Sequence, residues 1–259
     1  QVGKLQVTRW RNTQRITIII NDMKKTKIVA TISDKRCEVE FLEKLYRAGM
    51  NVVRLNTAHQ DMEQALKVVE NVRKVSDNIA ILIDTKGPEV RTMLMDEPMH
   101  VDRGETIYLT GDPELKMEGK LIHVSYPYFA EDIKVGDKVL VDDGDVELVV
   151  VEKKDHYLEM MVTNEAVIKN RKSVNVPGAS LKLESLSDKD RAFIDFAIDN
   201  NLDFIAHSFV RNKEDVMAIQ AILDARGSKI KVIAKIENQE GVDNIDEILD
   251  YAYGVMVAR

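Results

Sequence analysis

The sequence predicts an α/β protein in which a helix-covered parallel sheet is interrupted by a smaller all-β domain. Near-continuous apolar runs alternate with amphipathic helical stretches on either side of an interval that lacks any long helical period. Polar and charged residues gather where those apolar runs end, so the strand ends are the expected site.

The first run, Lys27-Ile28-Val29-Ala30-Thr31-Ile32, is β-branched and precedes Val39, Phe41, Leu42, Leu45 and Tyr46 at helical spacing, with Gly49 as the stop. Asn51 to Asn56 forms the second run. A helical face of Ala65, Leu66, Val68, Val69 and Val72 follows, and then a third run, Ile79 to Ile83. From about Met99 to Val176 the texture becomes short alternating segments and glycine-centred turns, including Thr106–Leu109, Lys138–Val141 and Val146–Val151. After Pro177-Gly178 the alternation resumes: helix 188–199, strand 204–209, helix 213–225, strand 231–236, helix 242–249 and a last apolar run, 254–258. That division gives an N-terminal extension over 1–22, a β/α portion over 23–93 and 177–259, and an insert over 94–176. About six β/α units result, fewer than the eight that close a barrel, and an open doubly wound sheet accounts for the periodicity equally well.

Bulk properties narrow the function. The chain has 259 residues, enough for one large or two small domains, and its single cysteine, Cys37, forms no internal bridge and reads as a half-buried apolar side chain. A cytoplasmic location is the expectation from that cysteine usage. A net charge of −7 argues against a general nucleic-acid binder, and no apolar run approaches the span of a membrane, so no membrane partner is expected. Residues 1–22 carry four basic side chains and Trp10 without a helical period, and Met23 before Lys24-Lys25-Thr26-Lys27 looks like a natural start. The five histidines show no metal-ligand spacing, although His59 and His207 lie near strand ends.

Three clusters carry chemistry. Asp84-Thr85-Lys86-Gly87-Pro88-Glu89-Val90-Arg91 sets carboxylates, a hydroxyl and cations directly after a buried strand, a density that suits phosphate and cation handling. Arg54 and Asn56, on alternate residues, project from one side of their strand. Lys235 and Glu237 share a face at the end of a strand apolar enough to be buried, where a lysine is costly unless paired or used.

In order along the chain, Lys27 to Ser33, Asn51 to Asn56, Asp84 to Thr92, Val141 to Gly144, Asn170 to Gly178, Ala206 to Arg211 and Lys235 to Asn238 resemble the successive signatures of pyruvate kinases. The resemblance covers Lys24 to Arg259. It implies an incomplete (β/α)8 TIM barrel with an inserted small β-barrel acting as a lid, phosphoryl transfer from phosphoenolpyruvate to ADP in glycolysis, and a homotetrameric full-length protein. It also implies Mg2+ (or Mn2+) and K+. By similarity Lys235 neutralises the phosphoryl group and the developing enolate, Arg54 holds the phosphate, and Glu237 ligates the divalent metal. Arg91 and Lys172 steady the nucleotide phosphates of ADP or ATP, with His59 at the nucleotide edge. Asn56, Asp84 and the Thr85 backbone correspond to potassium ligands, and Asn56 also borders substrate; Glu89 matches potassium-requiring members.

The chain departs from this pattern at Ala58, where many members have a potassium-binding serine, at Ser33-Asp34 in place of Gly-Pro, and at Ser173 in place of glycine. It stops at Arg259, where the family continues with Gly-Asp, whose aspartate is a second metal-binding acid. A related barrel lyase or mutase acting on oxo-acids is the competing enzyme reading, and a non-catalytic binding β-domain on a β/α scaffold is the competing binding reading. The sequence predicts that Gln1–Arg259 alone is inactive and aggregation-prone; pyruvate formation above background by that purified polypeptide contradicts it.

Overall fold

The computed structural model describes residues 26–179 and 181–257; the extension over 1–22 and the start at Met23 lie outside the described residues. Chain order begins β1 (Ile28–Thr31), α1 (Val39–Arg47), β2 (Met50–Asn56), α2 (Met62–Val75), β3 (Ala80–Asp84). After the insert it continues α4 (Asp188–Asp199), β13 (Phe204–His207), α5 (Lys213–Ala225), β14 (Lys231–Ile236), α6 (Gln239–Asp243), α7 (Ile245–Tyr251) and β15 (Gly254–Val257). Helices α2, α4 and α5 start where side chains satisfy free backbone N–H groups of the first turn. Asp61 with Gln64 and Ser187 with Asp190 form capping boxes, and Asn212 caps α5.

The six strands lie parallel in the order β1-β2-β3-β13-β14-β15. Neighbours in sequence within this half are neighbours in space, so the order never reverses as it does in a doubly wound sheet. The packing agrees. Val53, Leu55, Ile81, Ile83, Ile205, Val232, Ala234 and Ile236 all point to one face. They share a single core with Leu42 of α1, Val68 of α2, Phe193 of α4, Ile219 of α5 and Ile248 of α7. Helices cover that face, and the alternate residues Arg54, Asn56, Asp84 and Lys235 occupy the other. One helical layer outside and one polar interior is the arrangement of a (β/α)8 barrel, here in six strands.

The insert contributes β4 (Val90–Met93), β5 (Met99–Val101), β6 (Thr106–Thr110), β7 (Leu121–Val124), α3 (Phe129–Asp132), β8 (Lys138–Val141), β9 (Val146–Lys153), β10 (Leu158–Val162), β11 (Ala166–Ile168) and β12 (Ser173–Asn175). Seven of these strands close a barrel in the order β10-β6-β7-β4-β12-β8-β9, around a core that includes Ile107, Ile122, Leu148 and Met160. Strand β4 pairs with β7 and β12 and not with the parallel sheet, so the change of sheet falls before Val90 rather than at 93/94.

Two element boundaries and one burial differ from the sequence expectation. The helix expected over 242–249 is two helices, because Asn244 leaves helical geometry (φ −100°, ψ 15°) and its Nδ2 donates to the Arg211 carbonyl at 3.0 Å. The strand expected over 204–209 ends at His207, since Phe209 adopts φ 57°. The final strand is described to Val257, and Ala258 of the expected run lies outside the described residues. Cys37 is fully rather than half buried, packed in the helix-side core.

The return crossing between the two barrels is held at both sides. Leu181 and Leu183 pack on the small barrel's core, while their carbonyls accept from Arg211 Nη1 and Nη2 at 2.9 and 3.0 Å. Arg211 in turn chelates Asp215, which also accepts from Ser185. Burial pushes the Asp215 carboxyl up, but Arg211 and Ser185 outweigh it and hold the group below its usual range.

Gly87 makes the outgoing crossing possible. It sits at φ +68°, and a Cβ there would lie 2.4 Å from the Ser208 carbonyl oxygen and 2.8 Å from its carbon. Both obstacles are backbone, so neither can swing aside. Gly87→Ala is expected to destabilise the chain by at least about 1–2 kcal/mol, the cost of a left-handed alanine before the clash is added. Urea unfolding of the variant beside the parent checks this, and an unchanged midpoint refutes it.

Candidate active site

The interior face of the parallel sheet converges on one carboxylate. In-register pairing sets Asn56 beside Asp84 and Leu82 beside Arg54, so β2 and β3 present their polar side chains at the same level. Arg54 Nε donates to Asp84 Oδ2 at 2.6 Å, Arg54 Nη2 contacts the same oxygen, and Arg54 Nη1 donates to Thr31 Oγ1 at 2.8 Å. Two strands away, Lys235 Nζ lies 3.1 Å from Asp84 Oδ1 and 3.3 Å from Glu237 Oε1. Arg54, Asp84, Lys235 and Glu237 thus form one continuous alternating chain of charge. The Asp84 side chain is 2 % exposed and Lys235 10 %, against 27 % for Arg54, so the cluster opens to solvent at its arginine end.

The loop after β13 holds the far end. Phe209, in the left-handed region, turns its N–H onto Glu237 Oε2 at 2.9 Å. Ser208 Oγ lies 2.8 Å from Lys235 Nζ, 2.7 Å from the Thr85 carbonyl and 3.1 Å from Asp84 Oδ1. Thr85 is buried, and Asn56 Oδ1 accepts from the Ala58 N–H at 3.1 Å. Ser208 Oγ thus brings Asp84 Oδ1 and the Thr85 carbonyl together, and the register sets Asn56 beside Asp84. The Ala58 side chain carries no oxygen.

Arg91 and Lys172 lie in a neighbouring cleft of about 370 Å³, lined also by Glu89, Asp142, Phe209 and Glu237 among others. Glu237 borders both places. Arg91 makes a two-point pair with Glu89 at 2.5 and 2.8 Å, which raises its guanidinium's proton affinity above the ordinary arginine value. Lys172 pairs with Asp142 at 2.7 Å. His59 stands exposed on the turn after β2, its N–H on the Asn56 carbonyl at 3.2 Å. A larger groove of about 850 Å³ opens beside β15 and α6 and shares Glu237 and Phe209 as its wall. Among the described residues no group of three or more His, Cys, Asp or Glu side chains could hold a metal ion.

Two contributors escaped the sequence reading: Thr31, which braces Arg54, and Ser208, which braces Lys235. The signal for Ser208 was present, since it alternates with inward-facing Ala206 along β13 and its extension.

His207 faces the opposite way, into the helix layer. Its Nδ1 is 3.1 Å from Thr85 Oγ1, its Nε2 has no partner among the described residues, and the ring is fully buried. Desolvation lowers its pKa from 6.5 to about 4, against the raising influence of Asp215 and Asp190. A depressed histidine binds its proton more readily when unfolded. Its contribution to stability is present above pH 6.5 and is lost as pH falls toward 4. Stability is expected to drop by up to about 3 kcal/mol over that interval, and His207→Leu is expected to flatten it. Denaturation midpoints between pH 6.5 and 4 check this; equal slopes for parent and variant contradict it.

The model of the pyruvate kinase barrel domain matches residues 23–259. Pyruvate kinase of Borreliella burgdorferi is 51% identical over 237 residues, which cover 91% of this chain and 49% of that protein. That of Geobacillus stearothermophilus is 44% identical over 244 residues, 91% of this chain and 41% of the relative. A solved pyruvate kinase from Cryptosporidium parvum superposes with a TM-score of 0.84 at 38% identity, over 90% of this chain and 50% of that one. The chain thus spans about half the length of the relatives it matches. On this evidence, the chain belongs to the pyruvate kinase family.

Proposed function

We propose that the chain provides the phosphoryl-binding half of an enzyme that transfers phosphate from phosphoenolpyruvate to ADP, giving pyruvate and ATP in glycolysis. The observation that carries this reading is the meeting of Arg54 and Lys235 from different strands on the two oxygens of Asp84. Two cations fixed a few ångströms apart, each balanced in the free protein, suit a dianionic group that arrives between them. Arg54, at the open end, takes the phosphate oxygens; Lys235, at the buried end, faces the bridging oxygen.

In the transfer, the bond between phosphorus and the enol oxygen breaks while an oxygen of the ADP β-phosphate bonds to phosphorus. The electron pair left on the enol oxygen is neutralised at first by Lys235, and the enolate then takes a proton at its terminal carbon. Such a transition state is loose and highly anionic, so positioned cations supply most of the acceleration. Arg91 and Lys172 exchange Glu89 and Asp142 for nucleotide phosphates when ADP enters. The small barrel serves as the lid that keeps water from the transferring group.

The donor set fits the metals the family implies. Glu237 with substrate oxygens and water suits Mg2+ or Mn2+, while Asn56 Oδ1, Asp84 and the Thr85 carbonyl suit K+. A bound divalent ion would add positive charge opposite the developing anion. A cytoplasmic location and a homotetramer belong to the same proposal. Among the described residues no helix is long and apolar enough to cross a membrane.

Assayed by coupled pyruvate formation in the enzyme expressed from its complete gene, Lys235→Met is expected to lower kcat by about 100- to 1000-fold or more. A variant as active as the parent defeats the proposal. Ala58→Ser is expected to lower the potassium concentration giving half-maximal rate, by restoring one oxygen to a site that lacks it; an unchanged potassium dependence places that ion elsewhere.

A further inference from the structure

The loop after β13 does more than close the barrel edge. Ser208 is only 3% exposed and its hydroxyl touches three polar atoms, although it has one proton to give. The ammonium of Lys235 can only donate, so Ser208 Oγ accepts from it. Its own proton then goes to the nearer acceptor, the Thr85 carbonyl at 2.7 Å, rather than to Asp84 Oδ1 at 3.1 Å. Thr85 is fixed in turn, because its N–H donates to the Ala206 carbonyl at 2.9 Å and its Oγ1 accepts from the Ser208 N–H at 3.3 Å. The hydroxyl is therefore anchored from below and points a lone pair at Lys235.

The backbone around it is equally constrained. Gly87 lies against the Ser208 carbonyl with no room for a side chain, and Gly241 lies in the same way against the Val210 carbonyl, where a Cβ would come within 2.4 Å. Between them Phe209 is held at φ 57°, a conformation that a bulky residue adopts only under surrounding constraint. A lysine on four methylenes keeps many rotamers, and two carboxylates alone fix its direction poorly. A third, immobile partner removes that freedom.

We propose that Ser208 is a positioning residue for phosphoryl transfer: its hydroxyl fixes the Lys235 ammonium between Asp84 and Glu237, and the strained Phe209 turn behind it keeps Glu237 in register. This deepens the functional reading above and rests on it for the reaction, but not for the geometry. Ser208 would touch neither phosphate nor nucleotide and acts through Lys235.

The test compares Ser208→Ala, Ser208→Thr and Ser185→Ala in the enzyme expressed from its complete gene. Ser185 is a comparably placed hydroxyl that serves Asp215 on the return crossing. Expected are a fall in kcat of about 10- to 100-fold for Ser208→Ala and recovery of most of it in Ser208→Thr. Ser185→Ala should retain the parent kcat. A crystal structure of Ser208→Ala should show Lys235 Nζ beyond the ~3.5 Å reach of Asp84 or Glu237. If the parent itself forms no pyruvate, the functional reading fails and the crystal structure alone decides the geometry. Lys235 unmoved in Ser208→Ala, or kcat equal in parent and Ser208→Ala, overturns the proposal.

Discussion

Asp84 is the constraint on which the rest of the interior depends. A single carboxylate, 2 % exposed, balances a guanidinium from β2 and an ammonium from β14. Burying any of these charges alone would be costly, and their mutual attraction offsets desolvation only because every oxygen is also hydrogen-bonded. Arg54 takes one oxygen and Lys235 the other. Glu237 supplies the second negative charge, so the two cations and two carboxylates of the cluster balance one another.

The sheet makes this possible by separating two jobs along the same strands. Odd-numbered residues of β2 and β3 and even-numbered residues of β14 bury aliphatic side chains under the helices, each worth about 1.5–3 kcal/mol. Their neighbours carry charge on the opposite face. Stability thus comes from the helix layer, and the interior can carry polar groups arranged for chemistry rather than for packing. The crossings between the barrels obey a similar logic. Gly87 lets one pass against Ser208, and Arg211 ties the carbonyls of the other to Asp215. The small barrel is consequently anchored to the same short loop, residues 208–211, that contacts Lys235 and Glu237.

Much of this was legible in the sequence because it is local. Alternation alone puts Arg54 and Asn56 on one face, and Lys235 with Glu237 on another strand, and both pairs are found together. What was not legible depends on contacts distant in sequence. Asp84 read as a cation ligand, and its role as shared counterion appears only once the register sets β14 two strands from β3. Ser208 was hidden for the same reason. The assignment of Val90–Met93 to the small barrel is decided by Ser173 and Val124, more than thirty residues away. The helix break at Asn244 follows from the Arg211 carbonyl, and Cys37 is buried by α2, which its own neighbours do not reveal.

The proposed function requires one phosphoryl group to be held between Arg54 and Lys235 above Asp84. Its most direct test is a crystal structure of the enzyme expressed from its complete gene, with a non-transferable phosphoenolpyruvate analogue bound. The account predicts the analogue's phosphoryl oxygens within hydrogen-bonding distance of both the Arg54 guanidinium and the Lys235 ammonium. An analogue seated instead in the groove beside β15 and α6, with Arg54 and Lys235 still paired only to Asp84, would contradict it.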